Sequence, residues 1–449
     1  MFKKFFIYPV FLVIFLSIIG SLLFGSLLRH HYLGGQKLQS LQNIAVFFAE
    51  IPTTTRDMIK FRTINLDKPP LLFKHKDKKR FKQFIQNKRV GLLVLPRYDR
   101  NLSRSVVDIV DLNNFEVIHT YQHDIAEMNK QVQNTEEFPR INIKFSPRRF
   151  IYYHPLILDD GSLISESYHS PLFKIDFCSN LKWINDEEKF AHSKMLDHEG
   201  NIWVGGQFNP HSKYVKDFQI NGFEDDSIIK VNSDGKILYK KSVIEILIEN
   251  EILPNNYALS STLLKQNDPI HLNDIEPAFS DTQYWKKGDV FISIRHQSAI
   301  IHYRPSTNKV INYITGPFAQ QHDVDIISDN EISIFNNNNF IVDNEYSQVV
   351  IYNFETNQFR KLFNDQLQNE NFKTITNGKS HILDDGALMV DEHNYGRIIL
   401  FNNKGQKEWE FVNKDINGDI SQISWSRIIE DELFIEKFKS LIKNKKCVN

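Results

Sequence analysis

Cysteine is nearly missing from this chain, with only Cys178 and Cys447 in 449 residues. That excludes a disulfide-rich scaffold, and the wide separation of the pair, the second in a Lys-rich tail, leads us to expect no structural bridge. Net charge is missing too: 54 basic against 55 acidic side chains leave −1. A chain so balanced is not built to hold a polyanion, and nucleic acid is not an expected partner. No Gly-x-Gly-x-x-Gly fingerprint, Cys-x-x-Cys pair or His-Glu-x-x-His motif occurs. Asn377-Gly378-Lys379-Ser380 ends like a phosphate loop, but Lys373 stands where the first glycine of that motif belongs. It reads as a turn between strands, and no nucleotide or other cofactor is expected. What the chain has is 41% hydrophobic residues, 35 of them Phe, which is ordinary globular composition and enough for a large core.

The longest apolar run is N-terminal. Phe5 to Leu28 carries no charged side chain, and a bilayer span needs roughly 20 such residues. Lys3 and Lys4 precede it, which favours an inside N-terminus and an outside body. A cleaved signal peptide is the alternative, but the run exceeds a normal h-region and lacks a clear small-x-small cleavage site. Residues 1–33 are therefore read as a transmembrane signal anchor, with the body on the extracytoplasmic, periplasmic side. Residues 34–89 form a connector. In it Leu38, Leu41, Ala45 and Phe48 fall on one helical face, a short helix against the body or a partner. The basic cluster from Lys74 to Arg89 follows. It reads as a solvated helix face with Phe81, Phe84 and Ile85 inward, a lipid headgroup or acidic glycan being the other possible partner.

From Val90 the pattern becomes short apolar strands separated by Asp, Asn, Gly and Ser turns, interrupted by a helical stretch only near Val243 to Ile252. One phrase recurs: a histidine, an apolar run, an acidic or Gly turn, and a second strand. It starts at His154, His192, His271, His322 and His381. A further strand follows each, and six copies of that strand begin at Val106, Pro171, Ser227, Ala299, Gln348 and Arg397. The first copy lacks the histidine. Such repeats predict an all-β, six-bladed β-propeller over residues 90–430, with a Lys-rich tail at 431–449.

In a propeller the first strand of each blade lines the axis, so equivalent positions converge. His154 and His381, which lack special neighbours, are accounted for equally well as substrate-lining groups or as hydrogen-bonded repeats. The others have richer surroundings. His271 and Asn273 share a face in Asp268-Pro-Ile-His-Leu-Asn273. Arg295 sits in otherwise apolar β sequence and needs an anion or a carboxylate. Gln321-His322 opens the next blade. A pocket of imidazoles around a fixed guanidinium suits an oxyanion such as sulfate or phosphate. A transition metal held by the histidines with Asp323 or Asp325 is the other chemistry such a ring permits.

These three ordered motifs, Asp-x-x-His-x-Asn at 268–273, Ser-x-Arg-His-Gln at 293–297 and Gln-His at 321–322, resemble the bacterial arylsulfate sulfotransferases, which use no nucleotide sulfate. The resemblance covers the β body. It implies that His322 is transiently sulfurylated, that His271 and Arg295 bind sulfuryl oxygens and assist the leaving phenolate, and that His192 is a further active-site histidine. Asn273, His154, His381 and Gln321 are then candidate substrate-binding groups, the partners an aryl sulfate donor and a phenolic acceptor, and no metal is needed. The chain departs from the usual pattern at Pro269, where Trp is common, and at Asn336 to Asn339. A non-catalytic membrane-anchored propeller binding an anionic ligand or a protein through the same mouth is the alternative function. Loops 205–224 and 253–267 are expected to shape the choice of donor and acceptor.

Overall fold

The computed structural model describes residues 7–32, 38–49, 51, 74–86, 89–216, 222–252, 267–339, 346–445 and 447. Most of the 253–267 loop lies outside them, as do residues 217–221 of the other specificity loop. The chain divides into two units, Met1–Pro69 and Pro70–Asn449.

The first unit contains the helix Ile7–Tyr32, whose stretch Phe11–His31 is long and apolar enough to cross a membrane. Its side chains are exposed over most of that stretch. A second helix covers residues 39–49. Its buried positions are Gln42 and Ala45, whereas Leu41 and Phe48, expected on a packed face with Ala45, are exposed. The Gln42 side chain meets His30 Nδ1 at 3.1 Å, so a polar contact decides which face turns inward.

The second unit is all-β and propeller-like. Its described strands form five sheets: three of four strands, one of five and one of seven. Six separate blades were expected, and four stand alone. The seven-stranded sheet spans residues 153–242, because the strand Leu181–Leu196 is 16 residues long and serves both sides of a join. It pairs with Ser170–Ile175 through residues 181–190 and with Ile202–Gln207 through residues 190–196. Its register breaks between Ala191 and Lys194, the site of His192.

The sheet order also explains why the first repeat has no histidine. Its innermost strand is Arg427–Ile429, from the far end of the chain, paired with Leu92 to Val94. Apolar side chains between neighbouring sheets supply the cohesion. Val290, Ile292, Ile301 and Tyr303 are all fully buried in one such layer.

Two expectations for the periphery fail, and the tail takes a form that the sequence reading left open. Among the described residues the basic cluster is not helical, and it is solvated only in part, with Lys76, Lys79, Arg80 and Lys82 exposed. Phe81–Gln83 is an edge strand on Lys407–Val412, and the cations lie on a row of carboxylates: Lys74 on Glu392 at 2.6 Å, Lys78 on Glu410 at 2.9 Å and Arg89 on Glu408 at 2.8 Å. The sheet offers acids, and the connector neutralises them. The Lys-rich tail is the helix Glu432–Asn444, capped by Asp431 and burying Ile435 and Phe438 in the core. Cys178 and Cys447 are bonded, with Cα atoms 5.2 Å apart. The helix carries the second cysteine back across a sequence separation of 269 residues, which sequence spacing does not reveal.

Candidate active site

Left-handed backbone, φ between +35° and +70°, recurs at His154, His192, His271, Gln320, Asn377 and Trp425, at or near the start of successive inner strands. The repeat therefore sets a kink at the entrance of each inner strand and aims short segments at one mouth. A cavity of about 450 Å³ opens there, lined by Tyr153, Tyr168, His192, His271, Arg295, His296, Gln320, His322, Thr376 and Asn377. His192, His271, Arg295 and His322 thus lie together.

The four remaining candidates do not line this cavity. Asn273 and Gln321 are buried brackets. Asn273 Nδ2 donates to the Gln321 carbonyl at 2.9 Å, and Gln321 Nε2 donates to the carbonyls of Ile294 and Ala299. His154 turns its Nδ1 to Ser193 at 2.7 Å, leaving Tyr153 to face the pocket. His381 lies four residues past Asn377, which holds the kinked entrance position in that strand. There His381 Nδ1 meets the Ile428 amide instead. Counting histidines misjudged the register at His381 alone; His154 holds the kinked position, but its ring turns to Ser193.

His322 is fixed from both sides. Both N–H donors of Asn337 are committed, to the Thr374 carbonyl at 3.0 Å and the Asn377 carbonyl at 2.7 Å. Its Oδ1 must therefore accept from His322 Nδ1, 2.6 Å away. The imidazole is the Nδ1–H tautomer, and its Nε2 lone pair accepts the Asn377 amide at 2.8 Å. Burial, and then the charge of Arg295, push its pKa well below the ordinary value, so the ring is neutral. A neutral imidazole with a defined lone pair is a nucleophile. His192 is pushed down likewise, by burial and by His271.

His271 leans on a carboxylate, with Nδ1 2.6 Å from Asp268 Oδ2, which leaves Nε2 for the pocket. His296 donates from Nδ1 to the Asp268 carbonyl at 2.6 Å, and its Nε2 accepts Arg295 Nη1 at 2.8 Å. Burial holds its pKa down to about 4, so it remains an acceptor. Arg295 Nη2 donates to Gln320 Oε1 at 3.1 Å. Both hydrogen-bond partners of this half-buried guanidinium are neutral, although the sequence led us to expect an anion or a carboxylate bonded to it; the charge of Asp268 acts on it without a direct bond. The guanidinium charge is left for a ligand.

The alternative metal set of the histidines with Asp323 or Asp325 is not assembled, because Lys379 holds both carboxylates, at 2.5 and 3.3 Å. Among the described residues, Asp268, His271 and His296 do bring ligand atoms within 4.8 Å of one another. Arg295 against His296 keeps a fixed positive charge there, which disfavours a cation.

Sequence reasoning missed Tyr153, Tyr168, His296, Gln320, Thr376, Asn377 and Asn337. Several were in view as neighbours of chosen residues: His296 follows Arg295 and Tyr153 precedes His154. The Asn336 to Asn339 run was noted only as a departure from a pattern.

A propeller-like β body with histidines and one arginine gathered at a common mouth defines the class. The chain belongs to the arylsulfotransferase (ASST) family, whose profile matches residues 154–414. No curated protein matches it. Among solved structures, a protein of unknown function from Bacteroides caccae is similar at 11% identity and TM-score 0.47, over 74% of this chain and 98% of its own. TolB from Acinetobacter baumannii is similar at 8% identity and TM-score 0.45, over 76% and 67% respectively. Virginiamycin B lyase from Staphylococcus aureus is similar at 12% identity and TM-score 0.33, over 57% and 69%.

Proposed function

We propose that the protein moves a sulfuryl group from an aryl sulfate donor to a phenolic acceptor through a sulfohistidine on His322, without nucleotide sulfate. The observation that carries this reading is Arg295, a half-buried guanidinium whose two hydrogen-bond partners are neutral, in one cavity with a neutral His322. Such a cation attracts an oxyanion into a site where electrostatics are strong.

In the first half-reaction, His322 Nε2 attacks sulfur, the N–S bond forms and the S–O bond to the aryl group breaks. The departing phenolate, whose conjugate acid has a pKa of about 10, takes a proton from His271 Nε2. In the second, the acceptor phenol returns a proton to His271, its oxygen attacks sulfur, and the N–S bond breaks. His322 is restored neutral, and one aryl sulfate has been exchanged for another. Arg295 and His192 stabilise charge on the sulfuryl oxygens through both steps. Tyr153 and Tyr168 offer ring faces to an aryl group.

Two structural readings accompany this. The seven-stranded sheet is two blades fused through the strand Leu181–Leu196, so that six repeats surround the axis; the handover of pairing at Phe190 supports it. The functional division is an anchor at 1–33, a connector at 34–89, the catalytic propeller at 90–430 and a C-terminal segment at 431–449. The propeller works on the extracytoplasmic side, a reading supported by the Cys178–Cys447 bond, since disulfides persist in oxidising compartments.

The test is nitrophenol release from p-nitrophenyl sulfate with a phenol acceptor. Wild type is expected to release it far faster than His322→Ala. Equal rates would reject the sulfotransferase reading for aryl sulfates and leave the binding-only propeller.

A further inference from the structure

The nitrogen assigned to attack is not idle in this structure. Its lone pair accepts the Asn377 amide at 2.8 Å. An imidazole Nε2 has one in-plane lone pair, so it cannot hold that N–H and attack sulfur along the same direction. We propose that the turn 374–378 caps the nucleophile in the free enzyme, and that the Asn377 N–H is displaced by an incoming sulfuryl group and then donates to one of its oxygens. This rests on His322 being the nucleophile, and it adds a working backbone group and its positioning residue, Asn394.

The turn is built for this task. Asn377 and Gly378 have φ of +57° and +103°, two left-handed residues in succession that aim the amide at the ring. A Cβ on Gly378 would lie 2.5 Å from both Phe335 and Thr374, so no side chain fits without moving the turn. Asn394, buried to 5% exposure, holds the approach. Its Oδ1 accepts from Thr374 Oγ1 and the Ile375 amide at 2.7 Å and from the Thr376 amide at 3.0 Å, and its Nδ2 donates to Thr376 Oγ1. Asn337 ties the turn to the ring, since the side chain that fixes the His322 tautomer also binds the Thr374 and Asn377 carbonyls. The cap and the tautomer are thus set by the same asparagine. Behind Asn394, Glu392 accepts the Lys373 amide at 2.9 Å together with Lys74 and His75 of the connector.

The experiment measures acylation of His322 by diethylpyrocarbonate in the full chain, by mass spectrometry of its peptide, with exposed His198 as internal reference. Asn394→Ala and, separately, Gly378→Ala loosen or displace the turn. Each is expected to raise His322 labelling relative to His198 at least about fivefold, the scale of losing one hydrogen bond on the reacting atom. Near-UV circular dichroism selects the variants that keep the native fold. Unchanged labelling in a folded variant overturns the cap, as does wild-type His322 labelling as fast as His198. Labelling needs no sulfate ester, so the cap can fail while His322 still transfers sulfuryl groups, and transfer can fail while the cap holds.

Discussion

Arg295, half-buried, and Arg397, fully buried, are two arginines of the β unit with opposite surroundings. Arg397 bonds Glu392 at 2.7 Å and Glu370 at 3.0 Å, in a cluster completed by Lys74 and His75. Among the described residues, Arg295 hydrogen-bonds a histidine nitrogen and an amide oxygen. One guanidinium is bonded directly to carboxylates, and the other is held in position by neutral hydrogen-bond partners. The difference separates charge that holds the fold from charge kept for a ligand. Lys194 on Glu166 and Lys379 on Asp323 belong with Arg397.

Four predictions sharpen that contrast. The largest effect is at the ring facing Arg295: His322→Ala should lower the rate of nitrophenol release by roughly 10³-fold or more, as loss of a nucleophile does, with the melting temperature nearly unchanged. The two arginines should then split activity from stability. Arg295→Met should cost about 10²- to 10³-fold in rate, the scale of removing a preorganised donor to a developing oxyanion, and leave the melting temperature level or higher. Arg397→Met removes the guanidinium from the buried Glu392 cluster, which keeps Lys74 and His75, and should cost about 3 kcal/mol of stability by denaturant titration. If Arg295→Met unfolds the protein as readily as Arg397→Met, the contrast is void.

Third, Cys447→Ser should cost roughly 2–4 kcal/mol by the same titration, because it frees the Glu432–Asn444 helix from the sheet. The initial rate at low temperature should be kept. The smallest effect is on pH. His296, His381 and His393 are each held down to about 4 by burial, against 6.5 for a free imidazole. The unfolded chain takes up these protons first, so stability is whole above about 6.5 and drains away as pH falls toward 4. Melting temperatures across that interval should decline, and the acid limb of kcat/KM should lie below 6.5 because His322 is depressed as well.

Much of the plan was legible in the sequence. Repeats with turns foretold an all-β body, and the motifs holding His271, Arg295 and His322 meet at one cavity. Legibility ended where geometry depends on a single residue of register. His381 carries the repeated phrase, yet the kink falls four residues earlier at Asn377. The stretch beginning there was read only as a turn, since a backbone amide leaves no mark in a sequence. Long-range partners were equally silent. Lys74 is solvated by any local rule until Glu392, more than three hundred residues on, is folded beneath it, and Cys447 reaches Cys178 only once a helix has packed. The seven-stranded sheet turns on the uninterrupted strand Leu181–Leu196, whose polar centre gives no sign of a strand in the sequence.

The central claim is that His322 carries the sulfuryl group. Wild-type protein incubated with p-nitrophenyl sulfate and no acceptor, then digested and analysed by mass spectrometry at neutral pH, tests it most directly. The account predicts one acid-labile sulfuryl adduct, on the peptide holding His322 and at its Nε2, which disappears when phenol is added. Nitrophenol release with no adduct on that peptide, or an adduct on another histidine, would contradict it.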